Sequence, residues 1–531
     1  MVKRITGEKN QFSEREWKNG PKPASRPDDY MHIGFEKSDL KKRALQSASL
    51  SATGQMVSFA LHTGGTVILA RILSPSDFGL VTMVLAISLL LQNFGFNGFT
   101  EAIIQREEIN HSQISTLFWI NLGISLALAV LFAASAPVVV WLYKEPRLNA
   151  IVVAIAASIA LGGLSTQHQA LLMRKMEFKK IATNEVVATF ISFAVSIILA
   201  YFGWGYWALV AKWIVSPLSI AAGAWLFCTW RPGFPVRGSG VTPMVRFAFH
   251  TYGNFITSYL RRNIDKILIG RFYGSQPLGY YDRAYHLSNM VPDQILNPLT
   301  KVALATFSRL SKDREGYCHS YLNVVSILAF VSMPLSAIMT LAGRDLIVLL
   351  LGPQWSRAGE IFCVFGPSIG VAIIYLTHGW LHLSLGTPDR WFRWGIIAFI
   401  VTSLSFIIGI LFGELEVAVA YSISFYVLIG PALWYAGRPI NLKLFSVLLA
   451  IWKYYVAALV AGILCWFILY KFDLTSNIFI GLNIFIRVII SLFLCILIYL
   501  PLVVVFYRSV KPISQFISIL REMIPKISSG K

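Results

Sequence analysis

Long apolar stretches recur almost from one end of the chain to the other, separated by short polar loops. A helix needs about 20 predominantly apolar residues to cross the hydrocarbon core of a bilayer. Fourteen segments answer that description: 45–70, 78–104, 114–142, 148–173, 182–202, 207–228, 244–270, 279–308, 320–342, 358–386, 394–413, 415–436, 449–470 and 485–507. The pattern predicts an all-α, polytopic membrane protein of about 14 transmembrane helices. Only the ends are polar throughout. Residues 1–43 carry eleven Lys/Arg and seven Asp/Glu with Pro21, Pro23 and Pro27, and read as a solvated tail whose end, Lys41-Lys42-Arg43, meets anionic headgroups. Residues 511–531 read as a shorter basic tail.

Composition agrees. Of 531 residues, 56% are hydrophobic and 14% charged, with a mean hydropathy of +0.63. A soluble domain is about 25% charged, which argues against both a disordered chain and a soluble enzyme. A net charge of +20 would suggest nucleic acid in a soluble protein. Here the basic residues gather in alternate loops: Arg174, Lys175, Lys179 and Lys180, then Arg309, Lys312 and Arg314, then Arg508 and Lys511. The opposite loops hold fewer, among them Lys144, Arg147, Arg271, Arg283, Arg344 and Arg357. That asymmetry, with an even number of spans, predicts a bacterial inner-membrane protein with both termini in the cytoplasm and no nucleic-acid partner. The polar start shows no cleavable signal peptide, so the first apolar segment is expected to direct insertion. Cys228, Cys318, Cys363, Cys465 and Cys495 have no ligand spacing, and four of them lie in apolar stretches, as small buried hydrophobes do.

An internal repeat emerges at an offset of 200. Laying 58–100 on 258–300 without gaps matches Ser58 with Ser258, Arg71 with Arg271, Gly79 with Gly279, Ser88 with Ser288, Asn97 with Asn297 and Thr100 with Thr300. In each copy a long helix ends at the arginine and the next opens at the glycine. The offset lays span 1 on span 7 and span 2 on span 8. It predicts two six-helix bundles, 44–236 and 237–440, related by an axis along the membrane normal, plus two extra helices in 441–510.

Ionisable residues inside spans mark cavities or partners, because a charge at a helix centre costs about 2.5–3.5 kcal/mol on insertion scales. Span 7 holds Arg261, Arg262, Asp265 and Lys266, with Asn254 and Ser258 on the same face. Asn93, Asn97 and Glu101 recur every four residues on span 2, and match Asp293, Asn297 and Lys301 on span 8. Lys212 adds a positive charge in span 6. Lys212, Arg261, Arg262, Lys266 and Lys301 outnumber Glu101, Asp265 and Asp293, a surplus that suits a phosphate or an acidic sugar as cargo. The plainer alternative is a packing pair, Arg261 with Asp265, beside a snorkelling Lys266. Asp282-Arg283 and Arg344-Asp345 read as loop charges. His378 and His382, one turn apart, lack a third ligand, so no metal site is expected. Gly64-Gly65 and Gly162-Gly163 suit close helix packing, and Trp204, Tyr206 and Trp207 suit an outer interfacial belt. With no P-loop and no nucleophile-and-base pair, the chain reads as a transporter and not an enzyme.

Four stretches carry a family resemblance: LARILSPSDFGLVTMVLAI (69–87), QREEINHSQISTLFWINL (105–122), LMRKMEFKKIA (172–182) and NIDKILIGRFYGSQPLGYYDRAYHL (263–287). Over roughly 44–440 the chain resembles the polysaccharide transporters, the Wzx-type O-antigen and exopolysaccharide flippases of the multidrug/oligosaccharidyl-lipid/polysaccharide (MOP) exporter superfamily. The resemblance implies two six-helix lobes about a cavity lined by spans 1, 2, 7 and 8 that opens alternately to each side of the membrane. It implies an undecaprenyl-diphosphate-linked oligosaccharide as cargo, and a polysaccharide polymerase and chain-length regulator as partners beside the membrane lipids. Arg261, Arg262, Lys266 and Lys301 would then attract the diphosphate, and Asn97 and Asn297 the sugars. Glu101, Asp265 or Asp293 would carry a coupled proton or sodium ion, with no bound cofactor. A drug exporter or a lipid II flippase of the same fold, and a membrane polymerase or ligase, are the competing readings.

Overall fold

The computed structural model describes residues 37–106, 109–471 and 481–523; side chains at 37–52, 93–97, 105, 249–258, 260–262 and 519–523 lie outside the description. Among the described residues every regular element is a helix. In chain order these are α1 Lys37–Ile72, α2 Pro75–Gln105, α3 His111–Ala134, α4 Ala136–Tyr143, α5 Leu148–Arg174, α6 Phe178–Tyr201, α7 Tyr206–Phe227 and α8 Thr242–Tyr273. There follow α9 Ser275–Leu310, α10 Arg314–Leu351, α11 Ser356–Leu376, α12 His378–Ser384, α13 Pro388–Ile410, α14 Glu414–Gly437, α15 Leu444–Trp466, α16 Ile484–Tyr507 and the short α17 Lys511–Met523.

A long helical segment stands at each of the fourteen predicted positions, α3–α4 and α11–α12 each forming one interrupted segment. Eleven segments are long and apolar enough to cross a membrane. Apolar length therefore supports eleven crossings where fourteen were expected. The difference is α1, α8 and α9, markedly more polar than the other long helices. Part of their polarity is met between helices: Lys266 of α8 pairs with Asp282 of α9.

Two hairpins organise the bundle. Ser74 caps α2: its hydroxyl accepts from the Asp77 N–H while the Asp77 carboxylate accepts from the Ser74 N–H, and Pro75 opens the first turn. Between α8 and α9 stands a single residue, Gly274, at φ +86°, a conformation that favours glycine. The two hairpins meet where α2 crosses α9. A Cβ on Gly79 would lie 1.7 Å from the Ser275 carbonyl oxygen, and one on Gly279 would lie 1.9 Å from that of Pro75. These contacts exchange under the offset of 200, Pro75 with Ser275 and Gly79 with Gly279. Beside them the Ser76 and Ser275 hydroxyls bond at 2.9 Å, and Thr82 Oγ1 donates to Asp282 Oδ2 at 3.3 Å. The hairpin end is also clasped from α10. Arg71 donates to the Leu349 and Leu350 carbonyls, terminal acceptors of that helix, and Trp355 Nε1 donates to the Ala70 carbonyl at 2.7 Å.

One apolar core fills this hairpin end and draws on both halves of the chain, with Leu69, Leu80 and Ile155 beside Ile269, Leu278 and Phe362. Toward the far end it divides. Phe99, Leu117, Leu171 and Trp230 form one core, which also takes Met244 and Ala248 of α8. Phe307, Tyr321, Trp380, Tyr454 and Tyr499 form another, onto which α15 and α16 pack against α10. The halves thus share one core at the hairpin end, and at the other the first half's core takes in the start of α8 while a second core forms around α10.

Two expected loop pairs lie inside helices. Asp282 and Arg283 stand two turns into α9, which begins at Ser275. Asp345 is buried in α10, which runs nine residues past its predicted end because Arg487 of α16 pairs with that carboxylate. Apolar windows end early at such compensated charges.

Gly79→Ala and Gly279→Ala should each cost about 1–3 kcal/mol by forcing backbones apart. Gly162→Ala, whose Cβ meets open space, should leave the melting temperature of the detergent-solubilised protein unchanged or slightly raised. Equal Tm for all three would refute the crossing.

Candidate functional site

Beneath the sealed core lies a cavity of about 220 Å³, lined by α1, α2, α7, α8 and α9. Its charged lining residues are Lys212, Lys266, Arg283 and Asp282, joined by His62 and His286. Three cations face one carboxylate, a surplus of two positive charges with both imidazoles neutral.

Each charge is held differently. Asp282 is buried and compensated on both oxygens: Lys266 Nζ lies 2.9 Å from Oδ1, and Arg283 Nη2 lies 2.5 Å from Oδ2. Arg283 also stacks on Phe78, its Cζ 4.9 Å from the ring centroid, and Lys266 Nζ stands 5.3 Å from that of Tyr285. The Arg283 Nε–H is buried with no acceptor among the described residues. Lys212 has no ion-pair partner among the described residues; its ammonium instead lies 4.5 Å from the Phe193 centroid and 5.2 Å from that of Trp213. Cation–π contact holds a lysine without neutralising it. The His62 and His286 rings face each other across the α1–α9 gap, centroids 6.1 Å apart and nearly parallel, both accessible from the cleft.

The cavity draws on equivalent positions of the repeat with unequal chemistry. Thr66, Thr82 and Ala86 line it from the first copy, and Lys266, Asp282 and His286 from the second. At these paired positions the second copy supplies the charge, and Lys212 of α7 adds a cation from the first half.

The expected site residues fall into three groups. Lys212 and Lys266 line the cavity. Asp265 is buried behind it, accepting from the Tyr281 hydroxyl at 2.8 Å, with no partner for Oδ1 among the described residues. Lys266 does not snorkel: it pairs with Asp282. Glu101, Asp293, Asn297 and Lys301 are exposed along the far halves of α2 and α9, and none lines this cavity. Asn97, Arg261 and Arg262, like Asn93, Asn254 and Ser258, stand on α2 and α8 with side chains outside the described residues. The sequence reading omitted Asp282, Arg283, His62 and His286 from the site. Two signals pointed to them: Asp282, Arg283 and His286 share a helix face at three- and four-residue spacing, and His62 is the repeat counterpart of Arg262.

Three cations in a low-dielectric pocket attract an anion far more strongly than the same groups in water. An arginine and two lysines fit a polyphosphate, the guanidinium as a fork and the ammonium groups as point charges.

Removing Lys266 leaves a buried carboxylate with one counter-ion, whereas removing Lys212 relieves an uncompensated charge. Lys266→Met should therefore destabilise the protein by about 3–5 kcal/mol. Lys212→Met should change stability by no more than about 1 kcal/mol. Thermal denaturation of the purified variants distinguishes them, and equal losses would contradict the pairing.

Comparison with known proteins agrees with this architecture. The chain is 25% identical over 426 residues to the lipopolysaccharide biosynthesis protein WzxC of Escherichia coli (strain K12), covering 76% of this chain and 85% of that protein. It is 25% identical over 374 residues to the succinoglycan biosynthesis transport protein ExoT of Rhizobium meliloti (strain 1021), covering 70% and 75%. Its fold superposes on the inward closed conformation of the lipid II flippase MurJ with a TM-score of 0.69 at 16% identity, over 86% of this chain and 99% of that one. The profile of one family matches residues 68–360, from the end of α1 through the cavity helices into α11 and more than half of the sequence: this multi-pass membrane protein belongs to the polysaccharide biosynthesis protein family.

Proposed function

We propose that this protein is a flippase, carrying undecaprenyl-diphosphate-linked oligosaccharide repeat units across the bacterial inner membrane for lipopolysaccharide or exopolysaccharide assembly. The observation that carries the reading is the cationic cavity of Lys212, Lys266 and Arg283 between the two halves of a MurJ-like fold. The names of WzxC and ExoT, in lipopolysaccharide biosynthesis and succinoglycan transport, support it.

With both termini in the cytoplasm, as the loop charges favour, the sealed hairpin end is periplasmic and the cleft receives cargo from the cytoplasmic leaflet. The diphosphate seats on the cations. The sugars extend into the cleft past Asn297 and Lys301, and the polyprenyl chain stays in lipid beside the accessible half of α1. Closing the far end and opening the hairpin end would deliver the headgroup outward. Carboxylates within membrane-spanning helices often carry coupling ions, so buried Asp265 and the exposed Glu101 and Asp293 are the candidates for a proton or sodium ion. A periplasmic polymerase and its chain-length regulator would use the product. The protein supplies binding and movement and no covalent step.

Complementation of a deletion strain with Lys266→Ala/Arg283→Ala tests the reading. At normal membrane levels the variant should abolish exported polysaccharide, and complete lipid-linked repeat units should accumulate on the cytoplasmic leaflet. Normal export, or normal export with raised sensitivity to toxic compounds on deletion, would move the assignment to another cargo.

A further inference from the structure

A carboxylate at the centre of an anion site is a contradiction unless it has work of its own. Asp282 is that carboxylate. It is 4% exposed, engages two of the three cavity cations, and takes a hydrogen bond from Thr82 on the other side of the α2–α9 crossing. Meanwhile, among the described residues, Lys212 has no ion-pair partner, and Arg283 holds Asp282 through Nη2 while its buried Nε donor has no acceptor.

We propose that Asp282 is an internal stand-in for the cargo diphosphate, occupying Lys266 and Arg283 while the cavity is empty and surrendering them when cargo arrives. The inference rests on the flippase reading and deepens it. Three bare cations in a pocket of low dielectric would repel one another and hold the empty carrier apart. Asp282 removes one unit of that surplus and lets α8, α9 and α2 pack tightly around an empty site. An incoming diphosphate meets Lys212 and the unused Arg283 donor first. It then competes for Lys266 and the rest of the guanidinium, offering more negative charge than one carboxylate. Once its counter-ions turn to phosphate, Asp282 is repelled by the ligand it admitted, and the Thr82–Asp282 tie is lost. That tie crosses the α2–α9 contact joining the two halves, so cargo binding loosens the seal that must open for release. The same two cations thus clamp the helices in the empty state and hold cargo in the loaded one.

The test is direct binding of farnesyl diphosphate to the full-length protein in phosphatidylcholine nanodiscs. Asp282→Asn keeps the side-chain shape but removes the competitor, and should bind on the order of tenfold more tightly than wild type. A residue needed only to shape the site would weaken binding when changed. Asp265→Asn removes an equally buried acid one residue from Lys266 and should tighten binding much less. Thr82→Val, which frees Asp282 from α2 without touching a charge, should give a smaller gain in the same direction, and serves if Asp282→Asn folds poorly. Equal or weaker binding by Asp282→Asn, with wild-type binding still dependent on Lys266 and Arg283, overturns the stand-in and leaves the flippase reading intact. So does an equal gain from Asp265→Asn, which would reduce the effect to general charge removal. No binding by wild type and all variants overturns the diphosphate site and the stand-in together.

Discussion

Two helices can touch backbone to backbone only where neither has a side chain in the way, and α2 and α9 do so at Gly79 and Gly279. The positions a Cβ would take there lie 1.7 and 1.9 Å from carbonyl oxygens of the opposing helix, so even alanine would have to push the pair apart. Much of the molecule follows from this approach. It fixes how the α1–α2 and α8–α9 hairpins are set against each other and seals one end of the bundle. It also brings Thr82 within hydrogen-bonding distance of Asp282, so the charged cavity begins a turn below the crossing. Because the contact is nearly self-symmetric under the repeat, the two halves present equivalent helix faces to the space between them.

Function departs from that symmetry. A cavity with two equivalent walls has no preferred place for a charged headgroup, and here the walls differ in chemistry while matching in position. Thr66, Thr82 and Ala86 on one side oppose Lys266, Asp282 and His286 on the other. The charge is affordable at this depth because it is compensated locally, by the Lys266–Asp282–Arg283 cluster and by aromatic faces under Lys212, Lys266 and Arg283. Such compensation is partial in sum, and the remaining positive charge is what a passing anion would neutralise.

Several features were legible in the chain itself. Apolar length located fourteen helical segments, their ends off by as much as nine residues, and the offset of 200 identified the residues that exchange places at the crossing. Lys266 stood out as one of four ionisable residues within six positions of its span and Lys212 as a single charge in an apolar one, and both line the cavity. Asp282 and Arg283 were misplaced because adjacent opposite charges near a predicted helix start look self-sufficient and solvated. Only the partner helix reveals that Asp282 shares its charge with Lys266, sixteen residues earlier. Asp345 was misread in the same way, since its partner Arg487 is 142 residues away.

By itself, then, the sequence determined the class of solvent this protein lives in, the order of its long helices and its excess of positive charge. Those properties are sums or periodicities along the chain, and they survive without knowing which helix lies beside which. The tertiary structure alone decided that Glu101, Asp293, Asn297 and Lys301 stand exposed while a separate charged cluster lines the cavity near the hairpin end. It decided, too, that a histidine from each half meets across the gap, and which cation is left without a carboxylate. Ion pairing depends on separations of a few ångströms between helices far apart in sequence, and packing alone sets those distances.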